Sequence, residues 1–199
     1  MKQLLLAVNL FCFLHIASAQ ADTALLNDTK RFQAELKTEY DDPYHTPLSS
    51  KAKKSFKGIH FYPFSEKYIV NAKFVRTPNE KSFQMSTSGG IRKTYIKYAE
   101  VFFTISGKEY KLSVYQSQDL IKSAEYKDYI FIPFTDLTSG NETYEGGRYI
   151  DLNIPQGNNI IINFNKAYHP YCAYTDGYNC PIPPQENTLP LKIEAGVRF

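Results

Sequence analysis

From Phe61 to the C-terminus, apolar residues recur at every second position, and this alternation constrains the chain more than any other feature. Tyr68, Val70, Ala72 and Phe74 alternate with Ile69, Asn71, Lys73 and Val75. A period of two sends successive side chains to opposite faces of a strand, so that one face can pack while the other meets water. Further strands are expected at 83–86, 91–97, 101–105, 110–114, 129–134, 148–153, 160–165 and 191–195, divided by Gly, Pro and Asn turn signals. Val101, Phe103 and Ile105 oppose Tyr110, Leu112 and Val114 across Gly107-Lys108, where Gly in the first central position suits a type II′ turn. Pro155-Gln156-Gly157-Asn158 is expected to close a second hairpin. Strands and helices do not alternate, so nothing in the pattern suggests a parallel sheet. The expectation is a mainly β fold, an antiparallel β-sandwich or partly closed barrel of about nine strands, with one N-terminal helix.

That helix is expected at 22–42. Asp22 and Thr23 are capping residues, Leu25, Phe32, Leu36 and Tyr40 recur at near-helical spacing, and Pro43 stops it. Residues 44–57 carry Pro47 and the cluster Lys51, Lys53, Lys54 and Lys57, which suits a solvated linker. Ahead of the helix, Met1-Lys2-Gln3, an apolar run from Leu4 to Ile16 and Ala17-Ser18-Ala19 have the form of a secretory signal peptide. The expected organisation is therefore a signal peptide at 1–19, an N-terminal helix and linker at 20–57, and a β domain at 58–199. The product would be exported to the periplasm or the extracellular medium. It is not expected to span a membrane, because no later segment approaches the roughly 20 apolar residues that a crossing needs.

Composition removes several classes. With 43% hydrophobic residues, 16 Tyr and 14 Phe, the chain has the means to build a packed core, unlike a disordered one. A net charge of +3 is too small for a nucleic-acid-tracking surface. Loss of residues 1–19 removes Cys12 and leaves Cys172 and Cys180. In an oxidising compartment such a pair reads first as a disulfide. A metal site using His169, Cys172 and Cys180, or free thiols, are the alternatives.

Two polar stretches break the strand pattern. In Thr135–Gly147, followed by Arg148, the candidates are Asp136, Thr138, Tyr144 and Arg148. In Asn163–Asn187 they are Asn165, Tyr168 and Asn187, among four tyrosines that could stack on a sugar or another flat ligand. Glycine-rich phosphate loops, nucleophile elbows and twin-histidine metal motifs are all missing, so neither cofactor nor metal is expected.

Phe56-Lys-Gly-Ile-His-Phe-Tyr-Pro63, Phe131-Ile-Pro-Phe-Thr-Asp136-Leu-Thr138, Thr143-Tyr144, Gly147-Arg148-Tyr149, Phe164-Asn165-Lys-Ala-Tyr168 and Cys172…Cys180-Pro-Ile-Pro-Pro…Asn187 together form a long signature. It resembles that of bacterial domain of unknown function family 1684, from about residue 47 to residue 196. Longer members carry an additional N-terminal β-region that this chain lacks. The family tends to have Asp where Asn163 stands, Asn where His169 stands and Glu where Val197 stands. The resemblance implies no activity.

The leading reading is a non-catalytic module whose two long loops bind an unknown small molecule or glycan. The alternative is a hydrolase or lyase with Asp136 as acid or base, Arg148 as anion clamp and Tyr144 or Tyr168 as proton donor. A third reading makes Asp136, Arg148, Asn165 and Asn187 a polar network that fastens the loops to the sheet.

Overall fold

The structure, a computed structural model, describes residues 23–199. The expected signal peptide at 1–19 lies outside the described residues. Helix α1 occupies 23–41, and a one-turn helix α2 (Ser50–Lys53) is capped by the Ser49 side chain, which accepts from the Ala52 N–H. Tyr40, Leu48 and Ile59 are buried together with Val197, and Ala52 and Phe56 pack against them. The segment between helix and β domain is thus held down by apolar contacts while its lysines face solvent.

Nine strands follow: β1 (His60–Phe61), β2 (Ile69–Arg76), β3 (Phe83–Ser86), β4 (Arg92–Ile105), β5 (Lys108–Ser117), β6 (Tyr129–Phe134), β7 (Arg148–Asn153), β8 (Asn159–Asn163) and β9 (Val197–Arg198). β1 pairs with β9, and the others form one antiparallel sheet in the order β7-β6-β5-β4-β2-β8, with β3 added to β4. The connection 154–158 therefore joins the two ends of that order and does not close the expected hairpin. Laid flat, six strands would separate their outer members by about 24 Å. The six residue steps from Asn153 to Asn159 reach only about 21 Å. The sheet must curl, and it forms a half-barrel. Of the two architectures expected, the partly closed barrel is the one observed.

Other differences are local. The expected strands 91–97 and 101–105 are one strand, β4, interrupted by a register shift between Lys97 and Ala99. The extra residue, Tyr98, reverses the facing, so Tyr95 lies on the outer face while Ala99, Val101, Phe103 and Ile105 line the interior. The β4–β5 turn is Ser106-Gly107, one residue earlier than expected. Both residues have positive φ (51° and 78°), which makes it type I′ and not II′. Residues 191–195 are not a strand: Ile193 and Ala195 fill the barrel interior, and side chains take the place of ladder partners.

The interior contains Ala72, Phe103, Leu112, Val114, Ile130, Ile132, Ile150, Ile162 and Phe164. A second cluster, Met85, Tyr95, Tyr115, Phe131 and Tyr149, covers the outer face of the same sheet.

Candidate ligand-binding cleft

Of the residues singled out in the two loops, Asp136, Thr138 and Arg148 meet inside the barrel. Arg148, the first residue of β7, points inward and is 0% exposed. Its Nη2 donates to Asp136 Oδ1 at 3.3 Å, Thr138 Oγ1 at 3.4 Å and the Ile193 carbonyl at 2.8 Å. Nη1 donates to the carbonyls of Ala195 and Val197. The other Asp136 oxygen accepts the Ile193 N–H at 2.6 Å, and Oδ1 also accepts the Thr138 hydroxyl at 2.7 Å. Burial pulls the Arg148 pKa down while Asp136 pulls it back up. The cluster is closed on itself, and neither charged side chain has exposed surface. It can fasten the C-terminal segment across the barrel. It offers no face to a substrate.

Asn187 and Asn165 work similarly at separate points. Asn187 accepts the Ser113 N–H and donates to the carbonyls of Ser113 and Pro133, tying its loop to β5 and β6. Asn165 brackets Ser65 by accepting from its N–H and donating to its carbonyl. The Tyr144 N–H donates to His169 Nε2, and His169 Nδ1 bonds the Tyr174 hydroxyl. Buried between them, His169 has its pKa lowered to about 3 by desolvation and stays neutral. Cys172 and Cys180 form a disulfide with a Cα–Cα distance of 6.3 Å. The sulfurs are spent on each other and the imidazole on its neighbours, which leaves no set of three ligands there.

Tyr168 lines an open cleft, together with Tyr171, Tyr178 and Cys180 of the same stretch. This cleft lies on the outer face of β6 and β7 and encloses about 510 Å³, within the range typical of small-ligand sites. Its walls are Tyr95, Tyr126, Tyr129, Phe131, Tyr149 and Tyr168, with the 170–181 loop on one side. The strand period creates it. β6 turns Tyr129 and Phe131 outward, and β7 turns Tyr149 and Asp151 outward beside them, with Phe131 registered on Asp151. Tyr168 exchanges both backbone hydrogen bonds with Tyr149, which brings the chain after β8 against β7. Three ring pairs meet at steep angles, Phe131 on Tyr149 at 84°, Tyr149 on Tyr168 at 84° and Tyr126 on Tyr129 at 86°, while Tyr129 and Phe131 stack at 11°.

At the floor sits Asp151. Oδ1 accepts the Tyr129 hydroxyl at 2.7 Å and the Tyr168 hydroxyl at 3.0 Å, and Oδ2 lies 3.0 Å from the same Tyr168 hydroxyl. Solvent reaches the carboxylate through the cleft mouth, but the crowding rings desolvate it and raise its pKa, against the lowering effect of the two hydroxyls. Burial beside Asp151 pushes the Tyr129 and Tyr168 hydroxyls well up, so they remain protonated donors. Asp151 has no cation within ion-pairing distance among the described residues.

Asp151, Tyr129, Tyr149, Tyr126 and Tyr95 were not among the residues picked out from sequence. A signal was present: Tyr129–Phe134 is apolar at both parities, so both faces of that strand are covered.

A family model described as a protein of unknown function (DUF1684) matches residues 54–198. The chain belongs to this family. The DUF1684 match takes in every residue lining the cleft and leaves out α1. An uncharacterised protein of Haloarcula marismortui, solved by solution NMR, is similar in structure: TM-score 0.71 and 26% identity over 90% of this chain and 97% of that one. Curated proteins give no match.

Proposed function

We propose that this DUF1684 protein is an exported, non-catalytic module that binds a small molecule or glycan in the tyrosine cleft. The observation that supports this reading most is Asp151, an accessible carboxylate at the floor of a cavity whose walls are rings. A fold gains nothing by holding a partly desolvated carboxylate with only two hydroxyl donors, whereas a ligand that completes its hydrogen bonds would gain from it. The hydrolase or lyase reading has less support, because it needs Asp136 and Arg148 to reach a substrate and both side chains are enclosed.

A small-molecule screen by thermal shift tests the assignment. A ligand at 100 times its Kd stabilises the folded state by about 2.7 kcal/mol. Hits should lose their shift in Asp151→Asn and in Tyr126→Ala, a residue at the cleft mouth that is 36% exposed. Shifts unchanged in both variants would move the site elsewhere. Export is checked by sequencing the N-terminus of the secreted product, expected at Gln20.

A further inference from the structure

The cleft's charge and shape say more about its occupant than that it is small. Ring faces carry negative electrostatic potential, and here they enclose a carboxylate as well. Eight lining residues are tyrosines or phenylalanine; three of their ring pairs meet near right angles, and Tyr129 and Phe131 lie stacked side by side at 11°. Asp151 still has accepting capacity on Oδ2, which receives only the Tyr168 hydroxyl. Lys166, the neighbouring lysine that acts on Asp151 through space, is engaged with Asp28 at 2.9 Å. Lys93, the one cation in the lining, makes no ion pair with Asp151. The Asp151 carboxylate therefore has no ion-pairing cation among the described residues, and its charge is left for the occupant to compensate. An anion would meet Asp151 directly, and a neutral sugar would leave its charge uncompensated.

Taking the cleft as the binding site proposed above, we infer that its ligand presents an organic ammonium group, seated against Asp151 and held by the faces of the surrounding tyrosines. A cation placed there gains from the ring quadrupoles and from a carboxylate with no ion-pair partner of its own.

Isothermal titration with choline, with its uncharged isostere 3,3-dimethylbutan-1-ol and with a set of neutral disaccharides separates the outcomes. Choline is expected to bind the wild-type protein at least about tenfold more tightly than the isostere. Asp151→Asn should abolish that preference, and Tyr126→Ala should weaken choline while the fold, followed by circular dichroism, stays intact. Equal binding of choline and isostere overturns the inference, as does binding by neither. Disaccharide binding that depends on Asp151 and Tyr126, without choline binding, overturns the ammonium assignment and leaves the cleft as the site. Choline binding that both variants retain removes the cleft itself.

Discussion

Strand β7 carries two charged residues three positions apart, and they illustrate opposite uses of charge. Arg148 faces into the barrel, where Asp136, Thr138 and three carbonyls meet its donors. Asp151 faces outward into a box of rings and receives only two tyrosine hydroxyls. The first arrangement is enclosed, with both Nη groups satisfied within the fold and the buried Nε–H left without an acceptor. The second is open to solvent. In a strand the two faces are independent, so a structural fastener and a binding floor can be written into six residues without interfering.

The largest effect is expected at Arg148. Replacing it by alanine leaves the Asp136 carboxylate and three carbonyls buried without their cation, which costs about 3–5 kcal/mol. Urea denaturation should show that loss, and a change below about 1 kcal/mol would deny the network its fastening role. Next in size is the disulfide beside the cleft, where Cys180 lines the wall. The bridge closes a loop with a sequence separation of 8. On the chain-entropy account, replacing both cysteines by serine lowers stability by about 2.6 kcal/mol. Ligand binding in that variant then shows whether the loop must be pinned for the cleft to form.

The interior was legible in the sequence because its rule is simple. Val101, Phe103, Leu112 and Val114 alternate, and they line the barrel as alternation dictates. The polar network was legible in membership, since Asp136 and Arg148 stand in a polar stretch that breaks the strand pattern, but its enclosure was not. Enclosure comes from residues 189–197 returning over the barrel, a contact between segments that local periodicity does not encode. The cleft was hidden for another reason: outward positions are expected to be polar, and Tyr149 and Asp151 look like ordinary surface residues until Tyr168 is brought against them. The bulge at Tyr98 hid Tyr95 as well, by switching the face on which odd-numbered residues of β4 lie.

His169 sharpens the contrast on the closed side. Its pKa falls from 6.5 to about 3 in the folded protein, so below 6.5 the unfolded chain binds a proton that the native chain refuses. Its contribution is therefore complete above pH 6.5 and declines as pH falls toward about 3, by at most about 1.4 kcal/mol per pH unit. Asparagine can still accept the Tyr144 N–H and does not titrate. His169→Asn should match wild type at pH 7 and lack this part of the acid-side decline in a pH series of denaturation curves. Parallel curves would mean that the imidazole is solvated and protonates freely.

Asp151 gives the smallest effect on the fold and the opposite sign. Its folded pKa lies above the ordinary 3.8, so the native state holds the proton more tightly than the unfolded chain does. The acid form adds stability at low pH, and that advantage is lost as pH rises from 3.8 through the folded value. At pH 7 the ionised carboxylate is thus a small burden on the fold. Asp151→Asn should be slightly more stable than wild type there, with the gap closing below pH 3.8. The same substitution should remove ligand binding, a trade of stability for affinity that Arg148 does not show. If Asp151→Asn instead destabilises the protein at pH 7, the carboxylate belongs with Asp136 as a fastener, and the two faces of β7 serve one purpose.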